Sequence, residues 1–167
     1  EKFDIYVIGV GGQGIGLLSE VILRAVDHAG FSVRSVDTHG LAQRGGTVVS
    51  QIRMGDRAHS AIIPQGTADL VVALERHEAL RALNSHAADG ATLIYYDTEW
   101  QPLGVRLGTA QRVTADVIAE EAARRGVDPQ PRGNRDDRFV PHGVYRADGD
   151  DSWVAIAVHD DAAWQRL

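Results

Sequence analysis

The chain has 167 residues, 44% of them hydrophobic, no cysteine, and a formal net charge of -6. That length can bury one good core plus a short appendage, but hardly two full domains. The acidic balance, without any basic block, argues against a nucleic-acid footprint or an anionic membrane surface as partner.

In chain order, Phe3 to Gly9 reads as a buried strand that runs into the glycine turn Gly9-Val10-Gly11-Gly12-Gln13-Gly14. The apolar spacing Ile15, Leu17, Leu18, Val21, Ile22, Ala25, Val26 then predicts a helix. Phe31 to Asp37 is a second strand and Thr47 to Met54, rich in valine and isoleucine, a third. The third is expected to turn through Gly55-Asp56 toward a short strand at Ser60 to Ile63. Asp69 to Glu75 reads as a buried parallel strand, Arg76 to Leu83 as a helix and Ala91 to Asp97 as another strand. Thr98 to Gly108 contains a proline and two glycines, and Thr114 is placed to cap a helix over Ala115 to Arg125 that stops at Gly126. The alternation predicts an α/β fold: a doubly wound, mostly parallel open sheet, Rossmann-like and three-layered, with a short C-terminal appendage. Residues 1–126 form the main domain on this reading, 127–134, with two prolines and a glycine, a linker, and 135–167 a separate short segment. That segment is expected to contain a strand at Trp153 to Val158 and a helix opened by Asp160 or Asp161.

No apolar run reaches the length of a membrane span, and Glu1 leads directly into a strand with no signal-peptide pattern, so a cytoplasmic protein is expected. The chain opens without a methionine, so its start is expected to have been trimmed or to lie within a longer polypeptide.

Two segments carry the candidate site. In the glycine turn, Gly9, Gly11, Gly12, Gln13 and Gly14 would let an anionic group approach the helix N-terminus, where unpaired N–H groups and the helix dipole favour phosphate. The competing reading is a tight strand-to-helix turn whose glycines are purely steric. Asp37 lies about twenty residues beyond the glycines, where a dinucleotide-binding protein holds a ribose hydroxyl. Against that stands the lack of a second half large enough for a substrate domain. The second segment, Thr38 to Gly46, places His39 just before Gly40, and Gln43 and Arg44 between Gly40 and the pair Gly45-Gly46. These side chains either meet a ligand or partner subunit, Arg44 through its planar fork, or satisfy loop carbonyls and Asp37. Glu75, at the end of a strand, either lines the same crevice or caps the following helix. His28, His59, His86, His142 and His159 lack metal-ligand spacing. Trp100, Trp153 and Trp164 read as packing residues. No nucleophile, base and orienting group can be assembled from neighbouring motifs, so no catalytic and no metal-ligating residue is assigned.

The motifs GVGGQG at Gly9 to Gly14, THGLAQRGG at Thr38 to Gly46, VVSQIRMG at Val48 to Gly55, IIPQGTADLVVALE at Ile62 to Glu75 and EAL at Glu78 to Leu80 together resemble one known family. They resemble the gamma domain of the 2-oxoacid:acceptor (ferredoxin) oxidoreductases, the smaller subunit, often called beta, of the indolepyruvate enzymes. The resemblance covers roughly the first three quarters of the chain and is far longer than a lone GxGxxG. It implies an accessory subunit of an enzyme that oxidatively decarboxylates 2-oxoacids to acyl-CoA, of indolepyruvate or aryl-glyoxylate type. Thiamine diphosphate and iron–sulfur clusters would sit on partner subunits, and an acceptor such as ferredoxin would take the electrons. Clusters need thiolates, and a chain without cysteine cannot hold one alone. The resemblance further implies that Gly11, Gly12, Gln13, His39, Gln43, Arg44 and Gly45 face CoA or the catalytic partner. Residues 133–167 resemble an internal segment of the family III CoA-transferases, through PHGVY at Pro141 to Tyr145 and WVAIAV at Trp153 to Val158. That family's catalytic aspartate falls in a region absent here. Two alternatives therefore stand beside the accessory subunit: a free-standing NAD- or CoA-binding module, and a CoA-transferase-linked fusion.

Overall fold

A computed structural model of the chain describes residues 2–39, 46–56, 59–100, 103–127, 142–149, 153–158 and 160–165. Its backbone separates into two units, Glu1–Pro129 and Gln130–Leu167.

The first unit is built on a five-stranded sheet. Strand β1 (Phe3–Val10) leads through the glycine turn into helix α1 (Ile15–His28), followed by β2 (Val33–His39), β3 (Thr47–Met54), β4 (Ala68–Ala73), helix α2 (Arg76–Ser85), β5 (Ala87–Tyr95), the short helix α3 (Leu103–Arg106) and helix α4 (Ala115–Arg124). The strand order is β2-β3-β1-β4-β5. β1 is parallel to β4 and β4 to β5, whereas β3 is antiparallel to both β1 and β2. Four strands thus run in one direction and β3 opposes them, giving the open α/β sheet expected, with one reversed strand inserted between β1 and β2. β1→α1→β2 builds leftward and β4→α2→β5 rightward, so the order reverses between β1 and β4, where open α/β sheets place their ligands.

Alternation along β1 sets the two faces. Ile5 and Val7 pack with Ile15 and Ile52 under α1, while Tyr6 and Ile8 join Val71, Ala73, Ala79, Leu83 and Ile118 under α2 and α4. Helices on both faces make the three layers. Both α1 and α4 end in a left-handed glycine with paired return bonds: Gly30 N–H to Asp27 and Phe31 N–H to Val26, then Gly126 N–H to Ala123 and Val127 N–H to Ala122. Thr114 occupies the N-cap of α4, yet its side chain makes no capping bond.

Buried charges hold the N-terminal edge of the sheet. Asp4, fully buried, faces Arg53 directly across the β1/β3 ladder; Arg53 Nε donates to Asp4 Oδ1 at 2.9 Å and Lys2 Nζ to Asp4 Oδ2 at 2.7 Å. Arg53 Nη1 also donates to the carbonyls of Ser60 and Ile62, and Gln51 Oε1 accepts from Ile63 N–H at 2.7 Å. This corrects the short strand expected at Ser60 to Ile63: side chains of β3, rather than a neighbouring strand, satisfy that backbone, and no strand forms there. β5 begins at Ala87, earlier than expected, through the pairing Ala68↔Ala87 ahead of an irregularity in the ladder.

In the second unit, β6 (His142–Arg146) and β7 (Trp153–Ala157) pair antiparallel, with Val144 opposite Ala155, and one helical turn, α5 (Asp161–Trp164), follows. β6 has no counterpart among the expected strands.

Candidate functional site

The site is built at the C-terminal edge of β1 and β4. One residue before the end of β1 there is little room for a side chain: a Cβ on Gly9 would lie 2.7 Å from both Gln13 Oε1 and Ile15 Cδ1. The turn then needs positive φ at Gly12 (101°) and Gly14 (83°), which glycine adopts without strain. A Cβ at either of these would meet nothing within 4 Å, so these two glycines are required by backbone conformation rather than by crowding. Gly14 is the N-cap of α1 and makes no side-chain cap, and the first turn carries no acidic residue. The N-terminal N–H groups of a 14-residue helix are thus left without a carboxylate of their own.

Gln13 ties the turn across the order-reversal point. Its Oε1 accepts from Val10 N–H at 2.7 Å, and its Nε2 donates to the Leu74 carbonyl at 3.1 Å. The amide therefore bridges the ends of β1 and β4, in the crevice where a dinucleotide fold leaves room for pyrophosphate.

The second candidate segment joins the first at its root. Gly11 N–H donates to the Gly46 carbonyl at 2.9 Å, and Thr47 stands opposite Val10 at the head of the β1/β3 ladder. β2 and β3, consecutive along the chain, pair antiparallel up to His39↔Val48. His39 is the last residue of β2. Gln43, Arg44 and Gly45 lie outside the described residues. Asp37 is exposed on β2, paired with Ser50. With β3 inserted, it sits two strand spacings from β1, roughly 9–10 Å, where the dinucleotide arrangement has one.

On the other side of the crevice, Glu75 is fully buried and caps α2, its Oε1 accepting the Glu78 N–H. Among the described residues, Glu75 Oε2 and both ring nitrogens of His77 are buried without a hydrogen-bond partner; His77 Nδ1 lies 3.4 Å from Glu75 Oε2. Glu78, 5% exposed, accepts from Thr47 Oγ1 at 3.0 Å and from Arg81 Nε at 2.9 Å. Burial pushes its carboxyl above the ordinary glutamate range, against the opposing pull of Arg81 and Thr47. Beneath it, burial and then the Glu78 charge raise the Tyr6 phenol, and Tyr6 stacks on His86 with ring centroids 4.1 Å apart. Farther out, Arg76 pairs with Asp97, and Arg112 grips Glu99, holding that carboxyl below its usual range.

The structure thus brings together the turn Gly9–Gly14, Gly46 and the Leu74–Glu78 corner. Sequence reasoning named Glu75 but gave no role to Thr47, His77 or Glu78. The available signal was their position at strand starts and ends on one edge of the sheet. Trp100 and Trp164, expected to pack, are 55% and 58% exposed. No group of three potential metal ligands occurs among the described residues, and none of their helices is long and apolar enough to cross a membrane.

Residues 4–131 match the family described as pyruvate ferredoxin/flavodoxin oxidoreductase. The chain is 42% identical over 124 residues to an indolepyruvate oxidoreductase subunit IorB of Archaeoglobus fulgidus, covering 72% of this chain and 59% of that protein. It is 45% identical over 93 residues to the IorB of Methanothermobacter thermautotrophicus, covering 56% and 47%. The chain therefore spans about half to three fifths of the length of these relatives. Among solved structures, pyruvate oxidoreductase subunit PORC of Thermotoga maritima superposes with a TM-score of 0.48 at 25% identity, covering 77% of this chain and 71% of that one.

Proposed function

The chain belongs to the pyruvate ferredoxin/flavodoxin oxidoreductase family, and on that premise we propose that it is a gamma-type accessory subunit of a 2-oxoacid:acceptor oxidoreductase of the indolepyruvate or aryl-glyoxylate type. The carrying observation is the family match over residues 4–131, and the indolepyruvate branch draws on the names of its relatives. In this reading the whole complex decarboxylates a 2-oxoacid oxidatively and transfers the acyl group to CoA, and an acceptor such as ferredoxin receives the electrons. Thiamine diphosphate and the iron–sulfur clusters belong to partner subunits. The donor chemistry of this chain supports that division, because a sequence without cysteine offers no thiolate to a cluster.

The surface assigned to CoA or the catalytic partner comprises Gly11, Gly12, Gln13, His39, Gln43, Arg44 and Gly45. Two features of the turn suit it to the phosphate groups of CoA. Space is open above Gly12 and Gly14, and the first turn of α1 carries no carboxylate of its own. Gln13 already spans the crevice between β1 and β4, so an anion would sit above that amide rather than between the strands.

The test is recovery of tagged chain from extract of its source cells, with the co-purifying material assayed for iron and for CoA-dependent oxidation of indolepyruvate, phenylglyoxylate and pyruvate. Recovery of a cysteine-rich thiamine enzyme with that activity is the expected result. A solitary, iron-free protein that binds NAD or NADP in titration would overturn the proposal in favour of a nucleotide-binding module.

A further inference from the structure

We propose that Glu78 is a positioning residue for the glycine turn: its buried carboxylate, through the hydroxyl of Thr47, fixes Gly46 and the start of β3 against that turn. The link to CoA rests on the function proposed above; the positioning itself does not.

The start of β3 is held at two adjacent points, Gly46 and Thr47. The Gly46 carbonyl accepts from Gly11 N–H, and the Thr47 hydroxyl donates to Glu78 Oε1, 31 positions along the chain. Thr47 also pairs with Val10, the last residue of β1. One glutamate on α2 thereby reaches the residue where β3 and the glycine turn come together.

Glu78 is itself held on three sides. Glu75 Oε1 accepts its backbone N–H, Arg81 Nε donates to its Oε2, and Thr47 occupies its Oε1. The charged and titratable groups facing it are Arg81 and Glu75 from α2 and its cap, and Tyr6 from β1. A carboxylate kept 95% out of solvent is unfavourable unless donors satisfy it, so this side chain cannot swing outward without abandoning both donors. Glutamine in its place could still accept from Thr47 through its carbonyl oxygen, but would meet Arg81 with an amide. Leucine could do neither. The geometry therefore separates the two contacts: one to Thr47, directed at the glycine turn, and one to Arg81, whose side chain is 62% exposed.

The experiment compares the full chain with Thr47→Val, Glu78→Gln, Glu78→Leu and Arg81→Met. Amide hydrogen exchange at Gly11 reports the joint with Gly46, and exchange at Ala68, bonded to the His86 carbonyl at the opposite edge, reports global folding. Thr47→Val and Glu78→Leu are expected to speed exchange at Gly11 about tenfold relative to Ala68, and Glu78→Gln and Arg81→Met to leave that ratio near the wild-type value. An unchanged Gly11 ratio in Thr47→Val overturns the positioning role, even if Glu78→Leu does not fold. CoA affinity of the assembled complex is read in parallel, and weakening that follows the Gly11 ratio across the variants is expected. If the wild-type complex does not bind CoA while the Gly11 ratios behave as described, the functional reading fails and the positioning role stands. Changed Gly11 ratios with CoA affinity intact in every variant would overturn the link between Glu78 and the site.

Discussion

The two edges of the sheet treat buried charge in opposite ways. At the N-terminal edge, both oxygens of Asp4 are matched, and Arg53 spends its remaining reach on the carbonyls of Ser60 and Ile62. At the C-terminal edge, Glu75 Oε2 and the ring of His77 face each other at 3.4 Å and are buried without a hydrogen bond among the described residues, and Glu78 has one neutral donor and one outward-facing cation. A satisfied buried network holds a fold together, whereas buried polar groups with spare capacity are characteristic of sites that act. The first edge is built for stability. The second gives some of that up to present glycines and carboxylates where the strand order reverses.

The contrast can be broken first at the matched edge. Arg53→Met leaves Asp4 charged, fully buried and short of its main partner, and frees two carbonyls besides; a loss of about 3–5 kcal/mol in unfolding free energy is expected in denaturant titration. At the open edge the largest purely steric change is Gly9→Ala. Its new methyl meets Gln13 Oε1 and Ile15 Cδ1 at 2.7 Å, and the expected cost is about 1–3 kcal/mol, read as a lowered melting temperature. The third prediction uses protons. Because Glu78 titrates above its unfolded value, the native chain holds that proton longer. Its contribution to stability is complete below the ordinary glutamate pKa and is lost as pH rises through the folded one. Glu78→Gln is expected to remove that downward slope, while Arg53→Met leaves it in place. Unfolding midpoints measured between about pH 4 and 8 decide this.

Much of this architecture was legible in the residues themselves. The apolar run of β1, the 3.6-residue spacing of α1 and the β-branched run Thr47–Met54 each announce one period, and the structure forms them. What could not be read were effects with long sequence separation. The insertion of β3 between β1 and β2 depends on which of the two strands takes the open edge of β1, and composition does not encode that choice. The backbone at Ser60 to Ile63 has enough β-branched and apolar character to suggest a strand, but Arg53 and Gln51 satisfy it first. The early start of β5 runs through Ala87-Ala88-Asp89-Gly90, residues with little strand propensity, and comes from pairing with β4. At the site, the glycine turn was visible from its spacing. The coupling of Thr47 to Glu78 was not, since neither residue stands in a motif with the other.

The pairing of β2 with β3 has a further consequence, in evolutionary terms. A strand-to-helix turn such as Gly9–Gly14 is locked in length by the register of both elements it joins. The antiparallel pair β2/β3 carries one register from Val33↔Met54 to His39↔Val48. A slip of a single residue would turn every side chain of the slipped strand to the other face of the sheet. A related protein that changes the length of the segment between these strands must therefore keep both that register and the bond from Gly11 to Gly46.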